Sequence, residues 1–199
     1  MARKVTITKE MILEAALTML IRDGYAAVNI KTVAKELGCS TQPIAWQFEN
    51  MEVFRRELRV YAQEYARKTA KGGRRASSAA FEEMGRAYVR MAIKEPNLFR
   101  YLYLGESPMD KPYTMKGMSG GKAGKAMVSG IAAETGLSEE QAGRCIRNTV
   151  IYSHGLATMV ATGVFRASEK DLMAMIRSVS EGFVQNEMRA TFSGEEAGR

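Results

Sequence analysis

The sequence predicts an all-α fold in two parts: an N-terminal three-helix unit of the helix-turn-helix type and a larger C-terminal helical region. Apolar residues recur at helical spacing through most of the chain, and no segment keeps the two-residue period of a strand. Gly38 separates two short segments with helical spacing, which leaves room for two helices packed across one turn. Two glycines and a serine pair then interrupt the pattern between Lys71 and Ser78.

The charge of the chain is concentrated in its first part. The 199 residues carry a net charge of +7, and a chain of this length can bury a real core as one domain or two. Residues 1–75 hold 14 Lys/Arg and 8 Asp/Glu, whereas residues 76–199 hold 15 and 14. The basic excess accompanies the helix-turn-helix pattern, as a phosphate-binding surface requires, although a solvated surface has the same signature.

Several functional classes are disfavoured. There is no phosphate loop, no dinucleotide fingerprint and no second histidine beside His154, so we expect neither an enzyme nor a bound metal or cofactor. Cys39 and Cys145 lack metal-ligand spacing and indicate reduced thiols, with a redox sensor at Cys39 as the alternative. No signal-peptide region or apolar run of about 18 residues occurs, which predicts a soluble cytoplasmic protein that does not bind membranes.

The first helices have clear start and stop residues. Thr8 is the predicted cap of a helix that runs through Arg22 and ends at Gly24. Asn29 caps a second helix, which presents Val33, Ala34 and Leu37 on one face and stops at Gly38.

The next helix has an unusual exposed face. Ser40 or Thr41 is its predicted cap, and Pro43 suits its first turn, where a missing N–H costs nothing. Ile44 and Phe48 form its buried side. The opposite side carries Thr41, Gln42, Trp46 and Gln47, residues that serve no core. A generic helical hairpin would show the same spacing, but not this polar and aromatic face.

Residues 8–58 carry a resemblance to a known family. The matching positions are Ile12, Leu13, Glu14, Ala15, Ala16, Gly24, Tyr25, Val33, Ala34, Leu37, Gly38, Ser40, Ile44, Phe48, Asn50 and Glu52. At these positions the chain resembles the N-terminal DNA-binding domain of the TetR family of bacterial repressors. It departs from the family at Ala45, where Tyr is usual, and at Met51, where Lys is usual. Arg55, one turn beyond Met51, is a possible substitute for the phosphate contact that the family makes there.

The resemblance and the exposed face together predict the DNA contacts. Gln42 can bond an adenine, and Thr41, Pro43 and Trp46 can meet thymine methyl groups. The arm before the first helix reaches phosphates or a minor groove, or else is a simple tail. The predicted set is Arg3, Lys4, Lys31, Thr32, Thr41, Gln42, Pro43, Ala45, Trp46, Gln47 and Arg55.

The remaining helices define the predicted domain organisation: 1–50 is the DNA-binding domain, 51–71 a connecting helix, and 72–199 a regulatory and dimerisation domain. Helices are expected from Ser77 or Ser78 to Ile93, from Pro96 to Gly105, and over 122–135, with a loop over 106–121.

The last two helices, predicted over 138–162 and 168–191, indicate a homodimer. Each carries more apolar residues than one core face needs, including Ile151 and Met175, so each is expected to meet a partner subunit. Tyr152, His154 and Gly155 also resemble a motif of one group of TetR C-terminal domains. The predicted interface consists of Ile146, Val150, Ser153, Ala157, Val160, Leu172, Ile176, Val179 and Phe183.

The function expected from these features is that of a homodimeric transcriptional regulator, a repressor that leaves a pseudo-palindromic double-stranded DNA operator when a small, mainly apolar effector binds. Ten of the fourteen methionines follow Lys71, which suits an adaptable cavity or, equally, ordinary core filling. The expected effector contacts are Met84, Tyr88, Met91, Phe99, Tyr103, Met127 and His154. The alternatives are an all-α interaction or structural module, and an architectural DNA-binding protein with no cavity.

Overall fold

The computed structural model describes residues 6–69, 76–105 and 121–196, with side chains up to residue 190 in the last range. Within these ranges the chain forms helices and no strand, so the predicted all-α class is confirmed. None of these helices has both the length and the apolar character needed to cross a membrane. The α-helices are α1 Lys9–Asp23, α2 Ile30–Glu36, α3 Gln42–Gln47, α4 Met51–Thr69, α5 Ser78–Lys94, α6 Pro96–Tyr103, α7 Gly121–Thr135, α8 Glu139–Ala161 and α9 Glu169–Glu196.

The starts of α1 and α8 follow the capping residues that the sequence indicated. Thr8 accepts a hydrogen bond from the Met11 N–H (3.2 Å), and Ser138 accepts one from the Gln141 N–H (3.3 Å). The element bounds differ from expectation in that a short 3-10 helix, Tyr25–Ala27, follows α1 and α9 continues past residue 191. The predicted loop over 106–121 and the interruption at 71–75 lie outside the described residues, apart from Gly121.

The first of two compact units contains α1 to α4 together with α6. Its core is built on α1, whose inner face is fully buried, and α6 packs on both α1 and α4. The Asn97 side chain of α6 donates to the carbonyls of Ile21 (3.0 Å) and Arg22 (3.3 Å) at the end of α1. The Tyr101 ring is fully buried, 4.9 Å from the ring of Tyr25. Helix α6 therefore caps and covers α1 from a distant part of the chain.

The second unit contains α5 up to Ile93, α7, α8 and α9. Its cores join α5 to α8 and α9, and α7 to α8. The buried side chains of these two clusters are Val89, Leu156, Leu172, Met173 and Ile176 in one, and Ile131, Ala132, Ala142 and Ile146 in the other.

Arginine–glutamate pairs tie the surfaces of these helices together. Arg90 binds both carboxylate oxygens of Glu169 at 3.0 and 2.9 Å, which joins α5 to α9. Arg144 binds Glu187 in the same bidentate way at 2.8 and 2.7 Å, which joins α8 to α9. Each arginine lowers the pKa of the glutamate it holds. Arg90 is exposed, so its pair sets helix register more than it adds stability, whereas Arg144 and Glu187 are half-buried.

Helix α7 lies unusually close to the start of α5. The Glu134 carboxylate accepts from the Ser78 N–H at 2.9 Å, so α7 supplies an acidic cap for α5. At Gly130 an added Cβ would lie 2.3 Å from the Ala76 carbonyl oxygen. Only glycine permits this backbone approach.

We therefore expect Gly130→Ala to lower the free energy of unfolding by about 1–3 kcal/mol, because the methyl group meets backbone that cannot rotate away. Gly85→Ala in α5 is the matched control. A Cβ there meets no atom within 4 Å, so the helix should gain about 0.5–1 kcal/mol. Urea denaturation of both variants measures the difference. If Gly130→Ala were as stable as Gly85→Ala, the close approach would be wrong.

Candidate nucleic-acid interface

Helix α2 begins with a reciprocal cap. The Asn29 side chain accepts from the backbone N–H groups of Lys31 (3.0 Å) and Thr32 (3.1 Å), and the Thr32 hydroxyl accepts from the Asn29 N–H (3.0 Å). The same hydroxyl donates to the Ala27 carbonyl at 2.7 Å. Thr32, expected to contact DNA, therefore has an intramolecular role in the capping box. An Asn followed three residues later by Thr was the signal for this role in the sequence.

The turn between α2 and α3 is a Schellman motif. The Cys39 N–H donates to the Ala34 carbonyl (3.0 Å), and the Gly38 N–H donates to the Lys35 carbonyl (3.1 Å). This pattern requires positive φ at the residue after the helix end, and Gly38 has φ +63°. The glycine thus ends α2 sharply and lets α3 turn away from it.

Helix α3 buries one side and exposes the other. Ile44 is completely buried and Phe48 is 4% exposed, whereas Trp46 is 76% exposed. Thr41, Gln42 and Ala45 are also exposed, and Pro43 is half-buried in the first turn. Thr41 occupies the cap position but makes no capping hydrogen bond, so the predicted side-chain cap is absent. Its hydroxyl faces solvent with the rest of the exposed side.

Besides Thr32, a second residue of the predicted contact set makes a hydrogen bond within the protein. The Gln47 amide donates to the Ile7 carbonyl at 3.4 Å, just before α1. Nothing in the local sequence indicated this bond, because its two residues are 40 positions apart.

The cations around α2 and α3 differ in their partners. Arg22 binds both carboxylate oxygens of Glu36 at 3.0 and 3.2 Å and lowers the pKa of that carboxyl, so it links α1 to α2. Lys31 and Arg55 are exposed, and no carboxylate pairs with either within the described part of the chain. Arg3 and Lys4 lie outside the described residues.

The residues expected to bind an effector lie in both units. Phe99 and Tyr103 belong to α6 of the first unit, where Phe99 is completely buried. In the second unit, the hydroxyl of Tyr88 on α5 lies 2.6 Å from Nδ1 of His154 on α8, and burial lowers the pKa of that histidine. Met91 is buried, Met84 is 53% exposed, and Met127 packs against the core joining α7 to α8.

The residues expected at a dimer interface are largely used within one chain. Ile146, Ser153, Ala157, Leu172 and Ile176 are buried, and Val150, Val160, Val179 and Phe183 are half-buried. The large apolar side chains that remain exposed on α8 and α9 are Ile151 (48%), Met159 (42%) and Met175 (37%).

On each of the two helices these exposed residues share a face with an exposed glycine. Ile151, Gly155 and Met159 follow each other at four-residue spacing on α8, and Gly182 lies two turns beyond Met175 on α9. A Cβ at either glycine would meet nothing within 4 Å. Each of these faces therefore has room for another helix. We call these five residues the outer stripe.

A family model matches the helix-turn-helix part of the first unit. Residues 12–58 match the model of bacterial regulatory proteins of the tetR family. An uncharacterized HTH-type transcriptional regulator of Mycobacterium tuberculosis is 26% identical over 97% of this chain and 88% of its own length. The crystal structure of a TetR transcriptional regulator from Rhodococcus sp. RHA1 has a TM-score of 0.49 and 19% identity, covering 89% of this chain and 96% of the other.

Proposed function

Because this chain is a DNA-binding transcriptional regulator of the TetR family, we propose that it is a homodimeric repressor that a small, mainly apolar effector releases from its operator. The main observation in favour of DNA binding is the exposed side of α3. Its Trp46 is 76% exposed directly beside the completely buried Ile44. An aromatic side chain left in solvent on a helix whose opposite side is buried is available for contact with bases.

Helix α3 enters the major groove in this proposal. Gln42 bonds an adenine through its amide, while Thr41, Pro43 and Trp46 meet thymine methyl groups. The small side chain of Ala45 lets the backbone of α3 approach the groove closely. Two copies of α3 then read the half-sites of a pseudo-palindrome, spaced by about one helical turn or a small multiple of it.

The phosphate contacts come from cations around α3. Lys31 and Arg55 are exposed and have no carboxylate partner within the described part of the chain, so their charges are available to DNA. Arg55 supplies the contact that Met51 cannot make. From the sequence we add Arg3 and Lys4, which precede α1.

Base readers and phosphate binders should behave differently when they are removed. Gln42→Ala should reduce discrimination at one base pair by about 1–3 kcal/mol. Lys31→Ala should weaken all sequences alike and lower the salt slope by about 0.9. Lys125→Ala, which removes an exposed cation in α7, is the control and should change neither quantity.

Titrations can use the fluorescence of Trp46, the only tryptophan, on DNA selected from a random pool. The role assignments are wrong if Gln42→Ala and Lys31→Ala change discrimination and salt slope in the same way. Failure of the pool to yield any preferred sequence would refute operator reading itself.

The outer stripe supports a dimer built from α8 and α9. In this dimer the outer stripe, which is exposed in the single chain, forms the interface in place of the largely buried residues predicted from the sequence. Open glycines at positions 155 and 182 would let the helices of two subunits approach closely. The homodimer thus follows from excess apolar surface, as expected, but on a different face of the two helices.

Ile151→Glu or Met159→Glu should dissociate this dimer, because each would place an unpaired charge in the buried interface at a cost of about 3–5 kcal/mol. Each chain should still fold, since both side chains are exposed in the single chain. Val60→Glu introduces the same charge at a residue of α4 that is 61% exposed and should leave the dimer intact. Sedimentation velocity distinguishes the outcomes, and a dimeric Ile151→Glu would exclude this interface.

The effector site is proposed in the second unit. The candidate contacts there remain Met84, Tyr88, Met91, Met127 and His154, and the Tyr88–His154 hydrogen bond is the polar contact among them. Burial lowers the pKa of His154, which favours the neutral imidazole near pH 7. An uncharged ligand suits such a site.

A hydrogen bond at the start of α6 provides the coupling. The Tyr65 hydroxyl, near the end of α4, donates to the Glu95 carboxylate at 2.7 Å, and this bond raises the pKa of Tyr65 to about 12. Glu95 is the residue between α5 and α6. A ligand that shifts α5 would move Glu95 and therefore α4, on which the reading helices depend. Coupling of about 1–3 kcal/mol lowers operator affinity roughly 5- to 150-fold.

A thermal-shift screen of small uncharged apolar compounds tests the proposed effector response. We expect a compound that raises the melting temperature and also weakens operator binding. Tyr65→Phe should keep the thermal shift but lose part of the release, whereas Tyr61→Phe, on the same helix, should keep both. Stabilising compounds that leave DNA affinity unchanged would contradict effector control.

A further inference from the structure

Three contacts join the start of α1 to the end of α3 and to α4. The Gln47 amide donates to the Ile7 carbonyl at 3.4 Å. The Lys9 ammonium donates to the Glu57 carboxylate at 2.6 Å and lies 5.3 Å from the centre of the Phe48 ring. We call these five residues the α1–α3 junction.

The charge of Lys9 is largely satisfied inside the junction. Its side chain is 44% exposed, and that of its partner Glu57 is 30% exposed. The ammonium group has a carboxylate on one side and an aromatic face on another, and both attract a cation. Lys31, which has no carboxylate partner among the described residues, is in a different electrostatic situation.

The junction also compensates for the weak anchoring of α3. This helix has six residues and starts without a side-chain cap at Thr41. Its C-terminal end is held by the buried Phe48, which meets the Phe54 ring edge-on at 5.1 Å, and by the bond from Gln47. Because a recognition surface must be held to within about half an ångström, loss of these contacts would displace Trp46 and Gln42.

We propose that Lys9 and Gln47 are positioning residues for DNA reading: they hold the end of α3 on the start of α1 and do not themselves bind DNA. This inference rests on the proposed operator reading and refines it. Gln47 leaves the set of base-contacting residues. Lys9, the first residue of α1, is likewise not one of the residues that contact DNA phosphates.

The salt dependence of binding separates positioning from phosphate contact. Lys9→Met should weaken operator binding about 5- to 10-fold, through loss of an ion pair and a cation–π contact, without changing the salt slope. Lys31→Met should lower the slope by about 0.9, because it removes a phosphate contact. Lys9→Arg keeps a cation within reach of Glu57 and should restore binding. Circular dichroism melting curves set a temperature at which every variant is folded.

Glu57→Gln gives opposite predictions for the two roles. If Lys9 bound a phosphate, removing the competing carboxylate would strengthen DNA binding. If Lys9 positions α3, Glu57→Gln should weaken binding about as much as Lys9→Met, and the double variant should be no weaker than either single one. Stronger binding by Glu57→Gln, or a reduced slope for Lys9→Met, would overturn the inference.

The role of Gln47 has a separate readout. Gln47→Ala should weaken the selected operator and its single-base variants by the same factor, unlike Gln42→Ala, which should relax one position. A change of preference at one base pair in Gln47→Ala would restore Gln47 as a base reader. If the wild-type protein selects no preferred DNA sequence, operator reading itself fails. If the wild-type protein binds its selected operator but the Lys9 and Gln47 variants bind it as tightly as the wild type does, only this inference is overturned.

Discussion

The burial of Ile44 and Phe48 is the constraint on which the helix-turn-helix of α2 and α3 depends. Helices α2 and α3 have seven and six residues, and isolated helices shorter than about 12 residues are marginal in water. Helix α3 therefore exists because Ile44 is completely buried and Phe48 almost so. That packing sets the orientation of α3. The positions of the exposed Trp46 and Gln42 therefore depend on the buried residues beneath them.

Helix ends supply the second requirement of the first unit. Short helices expose a large share of their backbone donors and acceptors, and each buried group needs a partner. Asn29 and Thr32 satisfy the start of α2, Gly38 permits the bonds that close its end, and Asn97 reaches the last carbonyls of α1. The Asn97 contact comes from α6, a helix that follows α5 directly. The capping of α1 and the proposed effector coupling thus use the same short segment around Glu95.

The long helices of the second unit show why apolar excess is ambiguous. Both α8 and α9 have apolar residues outside a single stripe, and periodicity does not show which of them face inward. The chain buries Leu172 and Ile176 and leaves the outer stripe exposed. Arg90–Glu169 and Arg144–Glu187 fix the register of these helices. The number of apolar residues is the reason for proposing a dimer. Because the predicted interface residues are largely buried within one chain, the proposed interface is the exposed outer stripe instead.

Local signals in the sequence determined the all-α class, most helix ends and the exposed face of α3, because caps, glycine turns and helical periodicity are encoded within a few neighbouring residues. Tertiary structure decided which contacts join distant segments. The grouping of α6 with the first unit, the bond from Gln47 to Ile7 and the pairing of Lys9 with Glu57 connect residues 40 or more positions apart. Exposure on a helix marks a residue as a candidate for DNA contact, but only packing shows whether another part of the chain already holds it.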